Sequence, residues 1–258
     1  MHLDVLALDN FYNESSLGLT TKRILNDSLR QMWHQDGPKK KCDHILIGFG
    51  FALPFLNPYF HSIRNVISFM PGQQGVIPWP NFGSNLSVLV DETSWPLESG
   101  KVDRVLIAHG LETCERPNEL MAEIWRVLKP GGEVLFIVPN RSGLWARSEI
   151  TPFGYGRPYS RSQLEKQLIN NRFKVEGFRA ALYGPPSSRS YMIRSMAVLE
   201  KVGGKFGSRV MAGALLLVAQ KQIYAIPSNK LSEVVRAPLG VLEGLIKPKP
   251  KPISKNHV

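Results

Sequence analysis

The sequence predicts an α/β protein built on a doubly wound sheet, and three observations lead there. Short apolar runs recur along the chain, as expected of strands buried on both faces of a mainly parallel sheet. Helical patterns separate most of these runs. The run HILIGFG, residues 44–50, closes on two glycines, which suits a tight turn out of a strand. A length of 258 residues fits one large domain.

Taken in order, Ser15 or Ser16 is expected to cap a helix reaching about Trp33. Its apolar face would carry Ile24, Leu25, Leu29, Met32 and Trp33. The segment QDGPKKK, residues 35–41, reads as a solvated connector. Strand 44–50 follows, then a short helix over 52–60 that tolerates Pro54 in its first turn. Strands are expected at 64–70 and 85–90, the latter ending at Asp91, and a fourth at 103–110. A helix is expected from Pro117, capped by Asn118, to Lys129, where Pro130, Gly131 and Gly132 stop it. The fifth strand is 133–139, and a polar, aromatic-rich loop covers 140–159. Ser160 and Gln163 form a capping-box pattern for a helix to about Asn170. Strand 172–182, a helix over 188–202 and strand 209–221 complete a seven-stranded core.

Composition narrows the classes. Apolar residues make up 43% and charged residues 21%, which excludes a wholly disordered, collagenous or disulfide-stapled chain. Cys42 and Cys114 cannot form a framework, so a reducing, cytoplasmic compartment is expected. Met1 to Asn10 lacks the basic start of a signal peptide. The longest apolar run, Val210–Ala219, is half of what a membrane-spanning helix needs, so no span is expected. The net charge of +11 favours polyanions or acidic substrates. The tail KPKPKPISKNHV, from Lys247, should be extended and solvated. Three regions follow: a helical segment 1–36 near the ligand mouth, a domain 37–226 with a lid loop 140–159, and an extension 227–258.

The stretch from Asp91 to Pro139 carries the strongest pattern. It places an acid after strand three, then Pro96-Leu97, Val102-Asp103, Leu111-Glu112, and Arg126-Val127-Leu128-Lys129-Pro130-Gly131-Gly132. In this order the chain resembles the class I S-adenosylmethionine-dependent methyltransferases of the type 11 kind, and within them a bacterial group with no assigned substrate. Segments such as Pro139-Asn140-Arg141 and Leu144-Trp145-Ala146-Arg147 are shared with that group. The resemblance implies a Rossmann-like sheet, mostly parallel with one antiparallel strand, and S-adenosylmethionine as cofactor. It would lay Gly48, Phe49 and Gly50 under the methionine part, with Asp91 accepting from the adenine amine beside Glu92. The ribose would lie near Met70, with Gln73 or Gln74 as neutral partners, and His109 would close the fourth strand. The loop after strand five would shape the acceptor pocket through Asn140, Arg141, Trp145 and Tyr155, with Arg147, Arg157 and Tyr159 near them. His109 and Glu149 are the candidates for a base, which is needed only if the acceptor must lose a proton.

The chain departs from that family at two places. Leu46 stands where an acid usually precedes the glycines, and Phe69-Met70-Pro71 has no carboxylate for the ribose. Three functions therefore stand open: methyl transfer to an unidentified small or macromolecular acceptor, a catalytically silent partner-binding protein on the same fold, and an RNA methyltransferase. The third is not favoured, because the basic residues are scattered and no RNA-binding module is present. Other chemistries have weaker support. Cys114 has no preceding proline, so a packed thiol is expected rather than a nucleophile, and the six His and two Cys lack metal-ligand spacing.

Overall fold

The computed structural model describes residues 3–33, 42–60, 62–206 and 211–222. The 35–41 connector, the 227–258 extension and the Lys-Pro tail lie outside the described residues. One sheet holds seven strands: β1 (Cys42–Gly50), β2 (Ile63–Pro71), β3 (Ser87–Val90), β4 (Val102–Ala108), β5 (Leu128–Pro139), β6 (Phe173–Ala181) and β7 (Ala214–Lys221). Their order is β3-β2-β1-β4-β5-β7-β6. Strands β1 to β5 pair in parallel, and β7 runs antiparallel to both β5 and β6. One reversed strand thus makes two antiparallel pairs, in agreement with the sequence expectation. The order turns about β1, so the ligand edge of such a sheet lies beyond the carboxyl ends of β1, β2 and β4.

Side-chain alternation along the strands builds a core on each face. Leu46, Leu106, Leu135 and Leu216 point to one side. There they meet Leu25, Leu29 and Trp33 of α2 (Ser16–Met32 and its C-cap) and Phe55 of α3 (Leu53–Leu56). Ile47, Val105, Val134 and Leu217 point to the other. They pack on Leu120 and Ile124 of α4 (Pro117–Val127) and on Leu164 and Leu168 of α5 (Arg161–Asn170). The expected capping box is present: Ser160 accepts from the Gln163 N–H, and the Gln163 side chain returns to the Ser160 N–H.

Several elements differ from the sequence expectation for local reasons. Within the segment 1–36 expected to be helical, a separate helix α1 (Val5–Glu14), with no cap or apolar face expected for it, precedes α2 and buries Val5, Leu8 and Tyr12 at i, i+3 and i+7. Ser15 ends α1 and caps α2, accepting from the Gly18 N–H at 2.9 Å. A Cβ on Gly18 would lie 1.7 Å from the Phe11 carbonyl oxygen, so only glycine allows this corner. Strand β3 starts at Ser87 rather than 85, because the Asn85 side chain accepts from the Trp79 and Ser87 N–H groups and holds a turn. Helix α4 has Pro117 rather than Asn118 at its start and stops at Val127, since Leu128 already pairs with Val102 in the sheet. Helix α6 (Ser190–Phe206) outruns the expected 188–202, and β7 begins five residues later than expected.

The Arg126-to-Gly132 segment serves the scaffold. Arg126 donates to Glu123 through Nε and Nη2, and to the Leu97 and Trp95 carbonyls. Glu123 in turn accepts from the Trp95 N–H at 2.7 Å. Lys129 Nζ reaches both oxygens of Asp103 at 2.9 Å, and Asp103 accepts from the Ile45 N–H. These contacts clamp the 91–101 connection and β1 to β4.

Burial pushes the Glu123 carboxyl up, but hydrogen bonds from Arg126 and Trp95 and the charge of Arg126 outweigh it, so the net shift is downward from 4.5. The unfolded chain therefore takes up this proton first as pH falls. The stabilisation is complete above about pH 4.5 and is lost as pH drops through the lower folded value. Glu123→Gln should cost about 1–3 kcal/mol at neutral pH, and its deficit against the parent should shrink toward pH 3 or so, as read by urea unfolding at both pH values.

Candidate functional site

Helix α1 lies over the carboxyl ends of the strands. Tyr12 is fully buried, its ring stacked on Phe51 at 6.0 Å and edge-on to Phe55 at 5.5 Å. Its hydroxyl is 2.6 Å from His109 Nε2. Burial, and then the nearby charge of Glu112, hold the Tyr12 hydroxyl well above its usual 10.0, so it keeps its proton. The other ring nitrogen of His109, Nδ1, lies 3.2 Å from Glu112 Oε1. His109 holds a left-handed backbone, φ +51°, at the end of β4. Its carbonyl accepts from Gln74 Nε2 at 3.0 Å, and the Gln74 carbonyl accepts from the Val5 N–H at 2.9 Å. The 140–159 loop closes the other side. Phe153 packs edge-on to His109 at 4.9 Å, and the Arg157 N–H donates to the Glu112 carbonyl at 2.7 Å.

Two buried polar groups remain unsatisfied beneath this cover. Neither carboxylate oxygen of Glu112 has an aligned hydrogen bond, and Gln74 Oε1 has none. Unpaired buried acceptors of this kind are uncommon and call for a partner. Glu112 lies two residues after Gly110, whose backbone abuts Gly50.

The residues singled out from sequence divide into two groups. Gln73, Asp91 and Glu92 come together around an open cavity of about 460 Å³, with Gly72, Val90 and Arg116. That is within the range of small-ligand sites. Asp91 Oδ1 accepts from the Thr93 N–H and hydroxyl, both at 2.8 Å, and those bonds hold the carboxyl below 3.8, so it is ionised at neutral pH. Gly48, Phe49, Gly50, Met70 and His109 are instead buried by the protein itself. Gly50 has φ +77°, and an added Cβ would lie 2.4 Å from the Ala108 carbonyl oxygen. The close approach of β1 to β4 therefore already requires this glycine.

The acceptor candidates brace the loop. Trp145 is buried and donates through Nε1 to the Gly184 carbonyl at 2.7 Å. Asn140 donates to the Ala212 carbonyl at 2.7 Å, Arg141 reaches the Pro158 carbonyl, and the Tyr155 hydroxyl reaches the Glu149 carbonyl. The Glu149 side chain is exposed, and His109 is sealed between Tyr12 and Glu112. Cys114 is buried, and burial followed by the charge of Glu92 pushes its thiol up to about 12, so it is no nucleophile at neutral pH. Sequence reasoning missed Tyr12 and the role of Glu112. The spacing of Val5, Leu8 and Tyr12 was the available signal for α1.

This sheet order, with β7 reversed and the ligand edge at β1 and β4, defines the class I methyltransferase fold. Residues 78–136 match the model of the family described as a methyltransferase domain. The match runs from before β3 to within β5; it includes Asp91, Glu112 and the Arg126–Gly132 segment and leaves out the glycine turn of β1. A comparison with curated proteins finds no match. Among solved structures, an S-adenosylmethionine-dependent methyltransferase from Mesorhizobium loti aligns at 13% identity over 76% of this chain and 96% of that one, with TM-score 0.51. An S-adenosylmethionine-dependent methyltransferase from Thermotoga maritima aligns at 15% over 85% and 96%, with TM-score 0.52. A chain from the complex of the Haloferax volcanii Trm112 methyltransferase activator aligns at 12% over 84% and 99%, with TM-score 0.56. At these identities the likeness is one of fold.

Tyr12→Phe should cost about 1–3 kcal/mol of stability, because it strands His109 Nε2 in a buried site, and chemical unfolding of the two chains measures it. Gly50→Ala should destabilise by a comparable ~1–3 kcal/mol, since the methyl group collides with β4 and the backbone has positive φ. A Gly50→Ala chain with unchanged melting temperature would contradict the close approach of β1 and β4.

Proposed function

We propose that this chain is an S-adenosylmethionine-dependent methyltransferase, with the adenine over Asp91 and Glu92 and the amino-acid half above Gly50. The observation that carries the reading is the cavity at Asp91, at the carboxyl edge of a class I sheet and inside the segment matched by the methyltransferase family model. The residues present fit the cofactor in two places. Asp91 is an ionised acceptor beside an open cavity, suited to an exocyclic N–H donor. Glu112 and Gln74 hold orphaned buried acceptors suited to an ammonium group. The cofactor, when bound, supplies a methyl group on an activated sulfonium.

The chain's own task is binding, orientation and exclusion of water. Tyr12, Phe51 and Phe153 seal the inner part of the cleft, so entry of the amino-acid half requires α1 to move off His109 and Gln74. Gln73, exposed at the rim, takes the place of a ribose-binding carboxylate. The 140–159 loop, held by Asn140 and Trp145, would form the acceptor side of the cleft. A second reading, a silent methyltransferase-fold protein, draws on one specific observation: the glycine turn and His109 are buried by the protein itself.

Calorimetric titration of the full chain with S-adenosylhomocysteine separates the two. Binding is expected. Glu112→Gln should weaken it by about 1.5–3 kcal/mol, as for loss of a charged hydrogen-bond partner, and Asp91→Ala should weaken it several-fold. A folded parent chain that releases no heat with either S-adenosylmethionine or S-adenosylhomocysteine would establish the silent reading instead.

A further inference from the structure

Helix α6 turns its apolar stripe outward. Tyr191, Val198 and Val202 lie at i, i+7 and i+11 on one face and are 63%, 62% and 52% exposed, with Leu199 beside them. Met196 and Gly203 face inward, so the helix is docked and the outer stripe is left over. Arg194 and Lys201 flank that stripe and are exposed, and Arg189 donates to the Tyr191 hydroxyl at 3.3 Å. The one acid of α6, Glu200, turns inward and accepts from the Leu182 and Tyr183 N–H groups. The outer face is therefore apolar and cationic with no carboxylate among its described residues.

The helix joins β6 to β7 at the sheet edge where Ala181 and Pro139 both pair with Ala214. The same edge carries more apolar tips among cations. Leu144, Ile150 and Met211 are each more than half exposed, and Arg141, Arg147 and Arg157 are exposed in the same loop, against one exposed acid, Glu149.

We propose that this edge docks on an anionic lipid bilayer, with the α6 stripe at the level of the headgroups and Arg189, Arg194 and Lys201 on lipid phosphates. Charge complementarity selects this occupant. An apolar helix face flanked by cations, with its one acid turned inward, matches a helix laid in the interface of an anionic surface. No described helix is long and apolar enough to cross a membrane, so the association is peripheral. The inference stands apart from the methyl-transfer reading, because it needs no cofactor.

The test is co-sedimentation of the full chain with vesicles of phosphatidylcholine alone and of phosphatidylcholine with phosphatidylglycerol. Binding is expected to the anionic vesicles only and to fade with added salt. Each cation near such a surface is worth about fivefold in binding, so Arg194→Glu with Lys201→Glu should reduce it by about thirtyfold or more. Val198→Glu with Val202→Glu should abolish it with an unchanged melting temperature, since both side chains are exposed. No binding to anionic vesicles overturns the proposal. Binding that survives both double variants also overturns it, by locating the attraction elsewhere in this basic chain. Sedimentation velocity supplies a third check: a parent dimer that Val198→Glu turns into a monomer would assign the stripe to a second copy.

Discussion

A sheet buried on both faces can offer chemistry only at its ends, and here the end that matters is closed by one buried line of groups. The Tyr12 hydroxyl is hydrogen-bonded to His109 Nε2, and the other ring nitrogen lies close to Glu112. That line joins the first helix of the chain to the end of β4 and, through Glu112 and Arg157, to the loop after β5. Gln74 adds the end of β2 by holding the His109 carbonyl and the Val5 N–H. Four segments distant in sequence thus converge on one histidine in a left-handed backbone conformation. The line ends on Glu112, neither of whose carboxyl oxygens has an aligned hydrogen bond.

The scaffold beneath is organised separately from this closure. Glu123 and Arg126 clamp the connection that follows β3, and Lys129 and Asp103 clamp β1 to β4. These contacts lie within or beside the segment that matches the methyltransferase family model. The Arg-Val-Leu-Lys pattern is accordingly a structural signature: its polar side chains hold the strands in place. The glycine turn has a similar double reading. Gly50 is required by the approach of two strands whether or not a ligand lies above it.

The two ends of the cleft behave differently for a physical reason. At Asp91 the strand ends in a turn closed by its own aspartate, so the carboxylate stays at the surface beside an open cavity. At Gly50 and His109 the edge is flanked by α1 and by the 140–159 loop, both carrying aromatic side chains. Tyr12, Phe51 and Phe153 fill that space and exclude water. Opening it means exposing aromatic surface and breaking the Tyr12–His109 hydrogen bond.

By itself the sequence determined the seven strands, a cap at Ser15 or Ser16 and the capping box at Ser160, while the family resemblance implied one antiparallel strand and brought Gln73, Asp91 and Glu92 to one ligand. The strands and caps rest on local signals, namely strand-length apolar runs and capping residues. Only the tertiary structure revealed α1, the burial of His109, and the structural duties of Asn140 and Trp145. Tyr12 and His109 are 97 residues apart, and nothing in the neighbourhood of either announces the other. Their contact depends on how α1 settles over β1, β2 and β4. It is set by packing and by the need to pair buried polar groups, two constraints that act only once the chain has folded.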